Sequence, residues 1–141
     1  MSRPDNSYAK NSIARRLYNG SKEVLRAAKR ILGYIRRTSS LGLEIRQWPK
    51  EKPWILEVFS DSCFADNPSR KYCSTAGYLI FLNDTPVSWK TKRLKCVCTS
   101  SSQAEYLALY HAIKGTIMLG HIIKEFFGEK VFPVAVHCDK Q

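Results

Sequence analysis

The chain has 141 residues, enough for about one ordinary domain, and carries 23 Lys and Arg against 12 Asp and Glu, a formal net charge of +11. An apolar fraction of 44% with 16 aromatic residues excludes a disordered tail. No apolar run approaches the roughly 18 residues of a membrane span, and the polar start Met1-Ser2-Arg3-Pro4-Asp5 is no secretory signal. Cys63, Cys73, Cys96, Cys98 and Cys138 make an odd count without a repeated C-x-x-C, which argues against a disulfide framework or a zinc ribbon and for reduced thiols in an intracellular protein. The charge is uneven. Residues 1–53 hold 13 basic and 4 acidic side chains, and residues 54–141 hold 10 and 8. A basic front end fits a polyanionic partner, or an arm of something larger.

Residues 1–20 are polar and without periodicity. From Ser21 the spacing predicts a helix. Val24, Leu25, Ala28, Ile31, Leu32 and Ile35 recur at steps of about three and four, with Arg26, Lys29, Arg30, Arg36 and Arg37 on the other side. Ser21 suits the N-cap and Glu23 the positive end of the helix dipole, while Gly42 helps to end the pattern. The two prolines and three charges of Gln47–Pro53 mark a linker. Trp54–Asp61 then reads as a sheet-centre strand, apolar on both faces apart from Glu57. A polar loop at Asn67-Pro68 follows. Thr75–Leu82 is a second strand, Asn83-Asp84 a turn and Thr85–Trp89 a third strand, an antiparallel meander. Ser100 to Gln103 and Ser102 to Glu105 both fit capping boxes for a helical region that Gly115 and Gly120 divide in two and Gly128 closes. Val131–Cys138 is a last buried strand ending at Asp139. The expected order is β-β-β-α-α-β, an α/β mixed sheet.

Asp61 and Asp139 each fall at the end of a predicted strand, and Glu105 opens a helix whose Ala108, Leu109 and Ala112 face the core. Strand ends beside a helix start are where ligands bind in open α/β sheets. Three unpaired carboxylates together would repel by on the order of several kcal/mol, a cost that a divalent cation removes. Oxygen donors suit Mg²⁺ or Mn²⁺, and a pair of ions suits phosphodiester hydrolysis. Taken singly the residues also fit plainer roles: Asp61 a turn, Glu105 a capping partner, Asp139 a chain end. Lys90, Lys92, Arg93 and Lys95 form a cationic cluster that suits phosphate contacts or a solvated loop. The basic side of the first helix, with Arg26, Lys29 and Arg30, suits a duplex or ordinary solvent. His137 is read as a helper of the carboxylates or a plain strand residue, and Cys96 and Cys98 as packing on one strand-like face.

Five segments resemble the copia-type retrotransposon Pol polyproteins. Phe59-Ser-Asp-Ser-Cys-Phe-Ala-Asp66 resembles Y-S-D-A-D-W-A-G, and Ser74-Thr-Ala-Gly-Tyr-Leu-Ile-Phe-Leu82 resembles S-T-S-G-Y-V-F-F-L. Val87-Ser-Trp-Lys-Thr-Lys92 is similar to I-S-W-S-S-K, Thr99-Ser-Ser-Ser-Gln-Ala-Glu-Tyr-Leu-Ala-Leu109 to L-S-S-T-E-A-E-Y-I-A-L, and Val134-Ala-Val-His-Cys-Asp-Lys-Gln141 to V-x-I-Y-C-D-N-Q. They keep the family's order across residues 54–141, its ribonuclease H region. Ala27-Ala-Lys-Arg-Ile-Leu-Gly-Tyr-Ile35 and Gly42-Leu43 resemble A-x-K-R-I-L-R-Y-L and G-L at its junction with reverse transcriptase.

The resemblance implies a ribonuclease H-like fold in which Asp61, Glu105 and Asp139 hold two Mg²⁺ (or Mn²⁺) ions and hydrolyse the RNA strand of an RNA–DNA hybrid. It implies a poorly defined segment at 1–20, a connector at 21–53 and a partial ribonuclease H-like domain at 54–141. The expected location is cytoplasmic, in a virus-like particle for the parental family, or nuclear, with no membrane contact. Departures from the pattern are Cys63 for the second Asp, Phe64 for Trp, Gln103 for Glu and Lys140 for Asn. The family continues past Gln141 with further elements and a fourth metal ligand, and a polymerase precedes Ser21. The sequence is therefore read as truncated before the final elements and as a defective relic. The alternatives are an active hydrolase completed by another chain and a basic nucleic-acid-binding module without catalysis. On this reading the chain, expressed alone, is insoluble or melts below about 50 °C, and a cooperative calorimetric transition above that temperature would count against it.

Overall fold

The computed structural model describes residues 3–49, 52–67, 72–128 and 134–138. They fall into two units, residues 1–44 and 45–141.

In the first unit, residues 3–20 contain a 3₁₀ turn at Pro4–Asn6, helix α1 (Ser7–Ala14) and a second 3₁₀ turn at Leu17–Asn19. Gly20, at φ +48°, breaks the path before helix α2 (Lys22–Arg37). Ser21 is the N-cap: its Oγ accepts from Val24 N at 3.3 Å, a contact typically worth about 1 kcal/mol. Gly42 does not end α2. The helix stops at Thr38, whose backbone N–H and hydroxyl both donate to the Tyr34 carbonyl. Arg3 then takes over, donating to the Thr38 carbonyl at 2.8 Å and to its Oγ1 at 2.7 Å. Only part of the amphipathic stripe of α2 is covered within this unit. Val24 is buried, whereas Leu25 and Leu32 are 58% and 65% exposed.

In the second unit, strands β1 (Leu56–Asn67), β2 (Cys73–Leu82) and β3 (Thr85–Arg93) form the expected meander, with β4 (Val134–Cys138) parallel to β1. The sheet order is β3-β2-β1-β4. Asn83 and Asp84 join β2 to β3 with φ of +49° and +63°, the two-residue turn whose twist matches paired strands. Asn83 also receives the Ile55 N–H on its Oδ1 at 2.8 Å and donates its own N–H to the Ile55 carbonyl at 3.0 Å.

β1 runs further than its composition suggests. Asp61 lies within the strand opposite Gly77, not at its end, because Ser62 and Cys63 continue to pair with Ala76 and Thr75. The ladder becomes irregular only between Cys63 and Asn67, where Ala65 takes φ +48°. Asn67 closes the strand, and Pro68 lies outside the described residues. β3 likewise extends to Arg93, so Lys90, Lys92 and Arg93 are strand residues. Cys96 and Cys98 follow it outside any strand, the first exposed and the second buried.

Helix α3 (Ser101–Phe127) is continuous, where two helices were expected. Ser100 caps it, accepting from Gln103 N at 3.1 Å. Gln103 Oε1 accepts from Thr99 N and Oγ1, which leaves Glu105 outside the cap. The buried residues Ala104, Ala108, Ala112 and Thr116 follow the four-residue step and pack on β1 and β2. Gly115 interrupts nothing, because its missing side chain is needed. A Cβ there would come within 3.2 Å of Ile80 Cδ1 and 3.4 Å of the Tyr78 ring. Leu56, Val58 and Ile80 are fully buried beneath this helix, each worth about 1.5–3 kcal/mol of apolar transfer. Gly128 at φ +67° closes α3 by donating its N–H to the Lys124 carbonyl.

Two predictions follow from this packing. Gly120 has open space around it, so Gly120→Ala stabilises the second unit by about 0.5–1 kcal/mol through helix propensity, whereas Gly115→Val destabilises it by about 1–3 kcal/mol through overpacking. Chemical denaturation of the two variants measures both signs. In the first unit, Arg3 donates to both oxygens of Asp5, at 3.1 and 2.8 Å. That pairing, with help from Tyr34, holds the Asp5 carboxyl down from 3.8 to about 2. A lowered folded value stabilises above pH 3.8, and the contribution fades as pH falls through about 2. Arg3→Gln returns the Asp5 midpoint towards 3.8 in a carboxyl-carbon NMR titration.

Candidate functional site

The pleat sorts the side chains of β1. Leu56, Val58 and Ser60 face α3, while Glu57, Phe59 and Asp61 face the other side. That open face carries a shallow groove of about 430 Å³ lined by Phe59, Asp61, Gly77, Leu79 and His137. Asp61 is exposed, and its Oδ1 accepts from Ser62 N at 2.7 Å, which fixes the orientation of the carboxylate. Gly77 opposite places no side chain over it. His137 stacks on Phe59, with ring centroids 4.5 Å apart and planes 14° from parallel, and Phe81 meets Phe59 edge-on at 5.7 Å. The imidazole thus extends an aromatic floor beside the carboxylate.

β4 pairs with β1 so that Cys138 lies opposite Ser60, the thiol and hydroxyl 3.3 Å apart. The next residue in sequence after each member of that pair is an aspartate, Asp61 and Asp139. Asp139 lies outside the described residues, as does Lys140. Glu105 is half-buried near the start of α3, beside the buried Ala104, on the helix that packs against β1 and β2. Among the described residues no group of three His, Cys, Asp or Glu side chains is placed to hold a metal ion.

The basic residues divide. Tyr78 and Ala76 face α3, and their β3 partners Lys90 and Lys92 lie on that same side. Arg93 falls on the opposite pleat, and Lys95 lies beyond the strand. Arg26, Lys29 and Arg30 are exposed on α2 in the first unit. His111 and Lys114 of α3 join Lys90 and Lys92. Partial burial, then Lys92, Lys114 and Lys90, hold the His111 pKa below its usual 6.5. Lys114 Nζ lies 5.5 Å from the Tyr110 ring centroid, and the Tyr110 and His111 rings are 5.5 Å apart. The residue types of His111 and Lys114 do not mark them out in sequence, although their spacing puts neighbours on one helical face and the two-residue step of Lys90 and Lys92 separates them from Arg93.

None of the five cysteines is in a disulfide, and no helix among the described residues is long and apolar enough to cross a membrane.

Together these features define an α/β domain with a four-stranded mixed sheet, a carboxylate on its open face and a cationic rim on its helix-covered side. No family model and no solved structure matches the chain. Curated relatives do. The retrovirus-related Pol polyprotein from transposon RE1 of Arabidopsis thaliana is 31% identical over 139 residues, 99% of this chain and 9% of that protein. The corresponding polyprotein from transposon TNT 1-94 of Nicotiana tabacum is 33% identical over 99% of this chain and 10% of its own length. A protein of Plasmopara viticola named secreted RxLR effector protein 161 is 34% identical over 120 residues, 84% of this chain and 81% of that protein. The chain belongs to one family with the last of these, and its similarity to the Pol polyproteins over nearly its whole length supports an origin in a retrotransposon Pol polyprotein. It spans about a tenth of the length of the Pol polyproteins it matches.

Proposed function

We propose that the second unit is a ribonuclease H-like domain that hydrolyses the RNA strand of an RNA–DNA hybrid, with Asp61, Glu105 and Asp139 as its metal-holding carboxylates. The observation that carries this reading is the parallel register of β4 on β1. It aligns Ser60 with Cys138, the residues immediately before the two aspartates. The order of the copia-like segments and the Pol relatives support the same assignment.

The donor set fits hard divalent ions. Asp61 and Glu105 offer oxygen, Asp139 would add more, and His137 is engaged in its stack on Phe59. When bound, a pair of Mg²⁺ or Mn²⁺ ions supplies an activated water and stabilises the leaving oxygen. The chain's own residues prepare that chemistry. Ser62 N–H fixes one oxygen of Asp61 and leaves the other to act as donor. Gly77 keeps the approach to that oxygen open, and Phe59 with His137 offers an apolar floor to the substrate. Gln103, where the family pattern has Glu, is occupied at the helix cap and contributes no ligand to this set.

The test is cleavage of a labelled RNA–DNA hybrid with Mg²⁺. Asp61→Asn removes activity by more than the roughly 10–100-fold typical of changes one shell away from a metal. Cleavage that survives this substitution would exclude the assignment. Intact hybrid binding without any Mg²⁺-dependent cleavage would leave a non-catalytic nucleic-acid-binding module.

A further inference from the structure

We propose that Lys90 and Lys92 of the edge strand β3, with His111 and Lys114 of α3, form a second site that grips the phosphate backbone of a nucleic acid. Residues of two elements converge on it. Lys90 and Lys92 stand two residues apart on the side of β3 that faces α3, a separation of about 7 Å along the strand. That step is comparable with the distance between successive phosphates of one nucleic-acid strand. Lys114 and His111 approach from the helix, one turn apart. Among the described residues none of the three lysines pairs with a carboxylate. A site that brings four cationic or protonatable groups together without an internal counter-ion is completed by an external anion.

A nucleic acid is favoured over an acidic peptide by the aromatic neighbours. Tyr110 is 50% exposed and lies against both Lys114 and His111, and Tyr106 one turn earlier is 74% exposed. Cations interleaved with exposed aromatic rings suit a phosphate backbone whose bases can stack. The groups facing His111 are Lys90 and Lys92 from β3 and Lys114 and Tyr110 from α3. All three lysines disfavour its protonation, so a bound phosphate that neutralises them returns the proton. The site therefore binds more tightly as pH falls towards the ordinary histidine range.

This site rests on the Pol-derived reading for its partner but is separate from the carboxylates, so it is measured as binding without divalent cation. Fluorescence anisotropy of a labelled RNA–DNA hybrid against the full chain is the assay. Replacing Lys92 and Lys114 together by Gln weakens binding roughly tenfold at moderate salt and lowers the salt slope by about 2. Lys124→Gln, which removes an exposed charge near the end of the same helix, has a much smaller effect. His111→Gln abolishes the strengthening between about pH 7 and pH 5 while leaving the affinity at the upper end nearly intact. Because all these positions are at least partly exposed, circular dichroism melting checks that each variant stays folded. An unchanged salt slope in the double variant, or an equal loss in Lys124→Gln, would overturn the site. Equal affinity for a poly-glutamate peptide would overturn the nucleic-acid assignment. Binding at this site is read without divalent cation and hydrolysis with it, so a failure of hydrolysis and a failure of this site give different results.

Discussion

The second unit depends on how closely α3 can approach the sheet. Alanines at 104, 108 and 112 and the bare backbone of Gly115 form a stripe with almost no height, so the helix lies directly on β1 and β2. Larger residues on the sheet fill the space: Leu56, Val58 and Ile80 vanish from solvent beneath it. Small-against-large packing of this kind reaches interior density without forcing side chains off their preferred rotamers. Everything functional hangs from it. The same contact fixes where Glu105 stands relative to β1, and where His111 and Lys114 stand relative to β3.

Much of this was legible in the chain because local rules and tertiary packing agree. Ser21 and Ser100 cap helices where their spacing places them, the meander follows its apolar runs, and Asn83-Asp84 makes the turn its residues favour. Elsewhere tertiary contacts override local preference. Gly115 reads as a breaker by propensity, yet a side chain there would strike Ile80, so packing keeps both the glycine and the helix. Strand β1 continues through polar residues because β2 supplies its hydrogen bonds, which composition cannot reveal. At the site, the residue types around Asp61 and Glu105 stood out, but the division of the basic cluster did not. Lys90, Lys92 and Arg93 look like one patch when read as a loop and become two when read as a strand.

The relatives and the fold bear on different scales. Matching over nearly all of this chain but about a tenth of the polyproteins assigns descent to a short stretch of sequence. It leaves the chemistry to be argued from the residues present. Here the departures are informative. Gln103 has been recruited to hold the entrance of α3, taking both donors of Thr99. Cys63, at the position of a second acid in the copia pattern, is exposed and in no disulfide. Neither belongs to the oxygen set that the proposed reaction needs.

The Asn83-Asp84 turn and the irregularity beside it set the phase of β1, β2 and β3. The turn's two left-handed residues pair Leu82 with Thr85, a one-residue shift between Ile80 and Phe81 then brings Lys90 opposite Tyr78, and the reciprocal hydrogen bonds between Asn83 and Ile55 tie the turn to the start of β1. A sheet is only one residue thick, and neighbouring residues along a strand belong to opposite worlds. Displacing β1 by a single position would drive the Asp61 carboxylate into the apolar layer and turn the Ser60 side chain to the open face. The same displacement in β3 would exchange Lys90 and Lys92 for Thr91 and Arg93 along the rim. The turn and the shift between Ile80 and Phe81 together thus act as the molecule's alignment mark, deciding which half of the alphabet each face presents.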